Sequence, residues 1–390
     1  MHLLRRTIRV SRHGMTIVEL LVVLGIMAVL LGIAATAVKN GTRGKKQREA
    51  ARQVNAFIAT AQARAAEAGR PIGFEIVRNV TDANGDNMID AANDIGLSNA
   101  ALAMYVIETP PIYAGDDIDA VMTVAVSGST VTLTNDTGGF AAADGFLMQN
   151  NIVKARLNYR GRTYENVSVA KVNPLELELS FNIPDGDNTI FTGMGAVPVQ
   201  ITLPPIRSSA TPLQLPSDMC IDLTCSGVGN AGNQFANWNS GTHDSIKVLF
   251  SPNGTIDSVS NVDGIWVRPL GNVHILVGKY DHAVDALAVM GMDPLDDINL
   301  NTAGKPSLSY IDYLRPTDPD LETNLADASA MWVSVNFQTG QITTTRNKRI
   351  DDTFMQGITS MTPAEQNASL LAESRDFARN VLIVKGQGDE

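Results

Sequence analysis

The sequence is poor in the residue types that most enzyme chemistry uses. Its 390 residues include five histidines and two cysteines, and aromatic residues make up 5%. Neither His-Glu-x-x-His nor Gly-x-Ser-x-Gly occurs, which removes the zincin centre and the nucleophile elbow. Beyond the first fourteen residues only His243, His274 and His282 remain. His274 lies within an apolar strand pattern and reads as packed or edge-facing. His243-Asp244 and Asp281-His282 read as surface hydrogen bonds rather than parts of a triad, so the chain reads as non-enzymatic. Gly227-Val228-Gly229-Asn230-Ala231-Gly232 spells a dinucleotide fingerprint but is followed by loop-like sequence, where such a site needs a helix. Cys220 and Cys225 have no second pair or nearby His to complete a zinc site. They either bridge a small loop in an oxidising compartment or remain as unpaired, buried thiols.

Positive charge is scarce past the N-terminus. The chain carries a formal −11, yet residues 1–48 hold nine Lys/Arg against the single acid Glu19, which leaves −19 for the remainder. An acidic body argues against a nucleic-acid partner, because phosphate contacts need a basic face. It suits a solvated, extracytoplasmic body able to hold hard cations. Nothing in the composition suggests disorder. The length leaves room for one large or two small domains at roughly 100–200 residues each.

The long hydrophobic run stands at the start. Met1 to Gly14 is short and basic, and Met15 to Val38 follows with Glu19 as its only charge. As a helix, Ile17–Val38 would span roughly 33 Å, enough for a ~30 Å hydrocarbon core. A cleaved secretory signal has a shorter apolar region and a small-residue cut on its far side. An ordinary signal anchor fits the length but leaves Glu19 unexplained, since a carboxylate in a spanning helix is costly without a partner. Flanking charge does not decide orientation, because basic residues stand on both sides.

Gly14-Met15-Thr16-Ile17-Val18-Glu19-Leu20 resembles the prepilin cleavage and methylation motif of type IV pilins and type II secretion pseudopilins. The resemblance implies that prepilin peptidase cuts after Gly14 and that the new N-terminal amine of Met15 is methylated. It also implies that Glu19 faces the N-terminal amine of a neighbouring subunit, setting a buried carboxylate against a buried ammonium. Met15 departs from the phenylalanine usual at that position. By the same resemblance the chain is a single-pass protein of the bacterial inner membrane, with its bulk outside the cytoplasm. Its partners would be prepilin peptidase, other pilin-like subunits and the membrane.

After the anchor, Gly41 and Gly44 are expected to weaken or break the helix. A second helical pattern then aligns Ala50, Val54, Phe57, Ile58, Ala61, Ala65 and Ala68, and Gly69 and Pro71 end it. The expected fold is α+β. It has a leader over 1–14, a transmembrane helix over 15–38 and an amphipathic helix over 39–70. A β-rich body over 71–390 carries an inserted β-rich lobe at about 82–204 and a short C-terminal helix. Strands are predicted at Met122–Val126, Thr130–Thr134, Ile152–Tyr159, Glu165–Val172 and Leu175–Phe181. Ser245–Phe250 with Thr255–Val259, and Trp332–Phe337 with Gln341–Thr345, read as hairpins, and Gly264–Val277 adds two strands. These hairpins and the junction from Ala63 to Phe74 resemble the H-type minor pseudopilins. Thr362-Pro363-Ala364-Glu365 is a capping box that opens a helix to about Asn380, with a last strand at Val381–Val384.

Asp82, Asn84, Asp86 and Asp90, with Asn93, fall at calcium-loop spacing and resemble the loops of dockerins and EF-hands. Asn87 stands where those loops have glycine, and Asn93 or Asp94 where they have a bidentate carboxylate. The alternative is an Asp/Asn/Gly surface turn, as Asp185-Gly186-Asp187-Asn188 is read. No cofactor is required by this reading, and calcium is the one it admits. If the loop binds calcium, EDTA lowers the melting temperature and Asp82→Ala removes that effect; a melt unchanged by EDTA rules the ion out.

Overall fold

The computed structural model describes residues 17–79, 99–117, 120–127, 130–135, 151–158, 161–173, 176–181, 195–230, 235–236, 245–260, 264–289 and 322–384. The chain divides into two compact units, Met1–Lys46 and Gln47–Glu390. Helix α1 (Ile17–Ala68) begins in the first and ends in the second. It runs unbroken through Gly41 and Gly44, contrary to the expectation from sequence. Each glycine costs only about 1 kcal/mol in a helix, no proline precedes Pro71, and Arg43 and Lys45, both good helix formers, flank Gly44. The helix ends where Gly69 turns left-handed (φ 63°) and its N–H reaches the Ala65 carbonyl at 3.1 Å.

Strands β1 (Ile72–Arg78) and β2 (Ala100–Glu108) follow the helix. Next come β3 (Met122–Ser127), β4 (Thr130–Asn135), β5 (Asn151–Leu157), β6 (Thr163–Asn173), β7 (Glu176–Ser180), β8 (Ala196–Val197) and β9 (Val199–Thr202). The chain continues with β10 (Ile206–Arg207), β11 (Leu213–Gln214), β12 (Met219–Val228), β13 (Ile246–Phe250), β14 (Ile256–Ser260), β15 (Trp266–Val267) and β16 (Val273–Lys279). Helix α2 (Tyr280–Val289), β17 (Met331–Val335), β18 (Ile342–Arg346), α3 (Asp352–Ile358) and α4 (Pro363–Val384) complete it. Among the described residues the strands form two antiparallel sheets. The first runs β15-β14-β13-β1-β2-β12-β16-β17-β18, with β10 and β11 also on β2; the second runs β8-β3-β4-β7-β6-β5-β9.

The hydrophobic pattern of α1 explains its seat. Ala50, Ala51, Val54, Ile58, Ala61 and Ala65 have no exposed surface, whereas Ala68, counted to this face from spacing, is exposed. Four alanines let the helix lie close to the sheet. Val54 and Ile58 meet Phe74, Ile76, Val248, Phe250, Ile275 and Val333 in one core. The opposite sheet face is covered as well: Trp332, Leu276 and Ile350 pack with Met355, Ile358, Leu370, Leu371 and Ala378 of α3 and α4. Because both faces are covered, β17 is buried at every position, and its sequence lacks the alternation of a one-sided strand. The second sheet has its own core, in which Leu133, Val167, Leu179 and Ile201 meet.

The capping box forms as read: Thr362 N–H donates to Glu365 Oε2 at 2.9 Å, and Glu365 N–H donates to Thr362 Oγ1 at 3.4 Å. Helix α4 then runs to Val384, so the strand expected at Val381–Val384 does not form. No glycine or proline interrupts the chain between Pro363 and Gly386, and nothing local stops the helix earlier.

One side chain ties α1 to two hairpin turns. Gln62 Nε2 donates to the Gly254 carbonyl at 2.8 Å and the Gly340 carbonyl at 2.9 Å. Gly340 is left-handed (φ 68°), and a Cβ there would meet Gly254 O at 1.9 Å and Gln62 Nε2 at 2.2 Å. Gly340→Ala is therefore expected to lose more than about 1 kcal/mol of stability. Gly357→Ala, in α3 with nothing within 4 Å, should be neutral or stabilising by up to about 1 kcal/mol. Chemical denaturation of both variants checks the contrast.

Candidate assembly and docking site

Three regions could carry function. The first is the start of α1. Gly14 and Met15 lie outside the described residues; Glu19 lies in the helix, and its side chain is outside them. The described apolar side chains from Ile17 to Leu31 are all exposed, from 41% at Val23 to 82% at Ile17. A helix apolar on every side is stable only against lipid or other helices, and this chain supplies no cover there among the described residues. Among those residues no helix is long and apolar enough to cross a membrane. The expected span over Met15–Val38 lies in part outside the residues whose side chains are described.

The second region is a buried polar network under the first residues of the second unit. Gln47, with no exposed surface, donates from Nε2 to Asp327 Oδ2 at 3.1 Å and accepts from Ser329 Oγ at 2.5 Å. Lys279 Nζ lies 3.0 Å from Asp327 Oδ2 and 3.2 Å from His282 Nε2, and His282 Nε2 lies 3.1 Å from Glu322 Oε2. Burial works to raise the Asp327 pKa, but hydrogen bonds from Ser329, Lys279 and Gln47 outweigh it and hold the carboxyl at about 2. His282, Glu322 and Asp327 could offer a metal three donor atoms within 4.8 Å of one another. The Lys279 ammonium already lies among them, so a divalent ion would have to displace a bound cation. His282 is buried in α2, not at the surface as its Asp-His pairing suggested, because α2 packs on β12 and β16.

The third region is a cleft of about 410 Å³ between the two sheets. Pro71, Pro110, Pro111, Pro204, Pro205 and Trp266 line it, together with Lys154 and Asp257. Lys154 Nζ pairs with Glu165 at 3.3 Å and with Asp257 at 3.7 Å. Prolines have no N–H, so that wall offers apolar surface and carbonyl acceptors.

Other residues singled out from sequence are dispersed. Cys220 and Cys225 are free, buried thiols, so the bridge across a small loop is not formed. Cys220 packs with Ala100 and Ala283, and Cys225 with Leu276 and Trp332; the strand delivers them to different clusters. Burial, and then the charge of Asp222, raises both thiol pKa values, which leaves them poor nucleophiles. His274 is buried, with Nδ1 2.8 Å from Ser334 Oγ. Gly227–Asn230 continue from β12 into a turn, and Arg375 donates to the Gly229 and Cys225 carbonyls at 3.1 and 2.7 Å. The Gly229 N–H, which a phosphate would need as a donor, is already given to the Asn272 carbonyl at 2.8 Å. Asp82, Asn84, Asp86, Asp90, Asn93, Ala231, Gly232, His243 and Asp244 lie outside the described residues. Sequence reasoning missed Gln47, Lys279, Asp327 and Arg375. Gln47 and Asp327 are 280 residues apart, and no local pattern marks such a pair.

Residues 9–35 match the prokaryotic N-terminal methylation motif. The match supports a type IV pilin-like family and implies a membrane-anchored N-terminus and processing by a prepilin peptidase. Proteins with this motif are in general not enzymes. No curated protein and no solved structure matches the chain.

The network gives a pH signature. A depressed carboxyl stabilises the fold fully above its unfolded pKa, near 3.8, and that contribution is lost as pH falls toward about 2. Asp327→Asn should cost about 1.5–3 kcal/mol at pH 7, as for hydrogen bonds to a charged group. The gap between variant and parent should stay constant down to about pH 5 and narrow below pH 4, as read by denaturation at a series of pH values.

Proposed function

We propose that this chain is a non-enzymatic subunit of a pilin-like assembly, most like a minor pseudopilin of the H type. The observation that carries this is the coincidence of the methylation motif over residues 9–35 with a helix whose described apolar side chains from Ile17 to Leu31 are all exposed. The motif gives a reason to uncover an N-terminal amine, and the bare helix needs apolar partners. Glu19 joins the two: in lipid its carboxylate is costly alone and is offset by the ammonium of a neighbouring Met15.

In this reading prepilin peptidase cuts after Gly14 and methylates Met15. The chain then stands in the bacterial inner membrane with its acidic body outside, and α1 enters a helical bundle with other subunits in a type II secretion pseudopilus or type IV pilus-like filament. The body sets the contacts with partners or cargo.

Co-expression with a prepilin peptidase tests the reading. Mass spectrometry should find N-methylated Met15 at the new terminus, and Gly14→Leu should leave the leader attached. Glu19→Ala should be cut normally yet lose at least tenfold in co-purification with partner subunits. A chain that keeps its leader, or a Gly14 substitution without effect, would reduce the protein to a signal-anchored binding protein outside any filament.

A further inference from the structure

The cleft between the two sheets encloses about 410 Å³, within the range of pockets that hold small molecules. The charged side chains that line it are already paired. Arg70 donates from Nη2 to Glu108 Oε2 at 2.7 Å and from Nη1 to the Thr109 carbonyl at 2.9 Å. Lys154 pairs with Glu165 and with Asp257. An ionised ligand would have to break one of these pairs or stand uncompensated, and an uncharged one would not.

The rest of the lining favours rings. Pro71, Pro110, Pro204 and Pro205 bring saturated rings and no N–H. Trp266 adds an aromatic ring, and Asn166 already holds the Trp266 N–H and carbonyl at 3.1 and 3.2 Å. The indole is therefore the part of Trp266 left to meet a ligand, and such a ring packs well on another.

A second observation comes from Thr109, which also lines the cleft. It is 6% exposed, and its Oγ1 is buried without a hydrogen-bond partner. Its N–H donates to the Pro71 carbonyl at 3.1 Å, and its carbonyl accepts from Arg70. The hydroxyl is what remains, and buried hydroxyls are seldom left without a partner.

We propose that the cleft is a binding site for a small, uncharged ring compound that carries an N–H or O–H and donates it to Thr109 Oγ1. Pairing of the lining charges selects a neutral ligand, the prolines and Trp266 select a ring, and the orphaned hydroxyl selects a polar hydrogen on it. A bound water is the competing partner for Thr109. The site stands on this geometry and does not depend on the assembly reading.

Indole and indene test it, because they share a shape and indene has CH₂ where indole has N–H. Equilibrium dialysis of the full chain in lipid nanodiscs, corrected for lipid partition with empty nanodiscs, should find one indole per chain. Indole should bind at least tenfold more tightly than indene, since a site that bonds a polar hydrogen rejects the analogue without it. Thr109→Ser keeps the hydroxyl and should keep that preference. Thr109→Val should bind indole no better than indene, with a denaturation midpoint equal to or above the parent's. A parent chain that binds neither probe at millimolar concentration would overturn the site. So would a preference for indole that survives Thr109→Val, which would put the ligand elsewhere. A Thr109→Val chain less stable than the parent would mean that the hydroxyl serves the fold, through a water or another group, and would overturn its role toward a ligand.

Discussion

The body is organised by the close seat of α1 on the first sheet. Ala50, Ala51, Ala61 and Ala65 keep the helix near the strands, and Val54 and Ile58 fill the space between. Strands from distant parts of the chain, β1, β13, β16 and β17 among them, contribute to the core these residues enter. Gln62 then fixes the helix lengthwise by holding two hairpin turns at once. Removing this part of the helix, from Ala50 on, would uncover the central face of the sheet.

Local features of this arrangement are readable in the sequence. The alanine-rich periodicity places the buried face of α1. The Asn253-Gly254 and Thr339-Gly340 turns place two hairpins, and Thr362 and Glu365 place the start of α4. Each is decided within a few residues, by side chains acting on their own backbone. Where the reading erred, a local rule lost to its neighbours. Gly41 and Gly44 did not stop the helix, because two glycines without a proline cost only about 2 kcal/mol together in a helix of 52 residues. Val381–Val384 stayed helical because nothing upstream ended the helix.

The candidate site is less legible because its parts meet only after folding. Gly14, Met15 and Glu19 lie within a matched motif that is linear and so can be read directly from the sequence. The Gln47–Asp327–Lys279–His282 network cannot. Its members come from α1, β16, α2 and the segment before β17, and each has an unremarkable sequence setting. Asn166 and Trp266 are alike in this: a hundred residues separate them, and only the tertiary fold brings the carboxamide of one to the backbone N–H and carbonyl of the other. The proline-walled cleft is likewise assembled from segments near residues 70, 110, 204 and 266.

The second sheet has a consequence that follows from where the chain leaves and rejoins the first. Glu108, the last residue of β2, is the pairing partner of Ile206, the first of β10, and every strand of the second sheet lies between those two residues. Its entry and exit are therefore already side by side in a ladder that exists without it. Loop-closure entropy rises only slowly with length, so such a segment can be lengthened, shortened or exchanged while the platform beneath keeps its register.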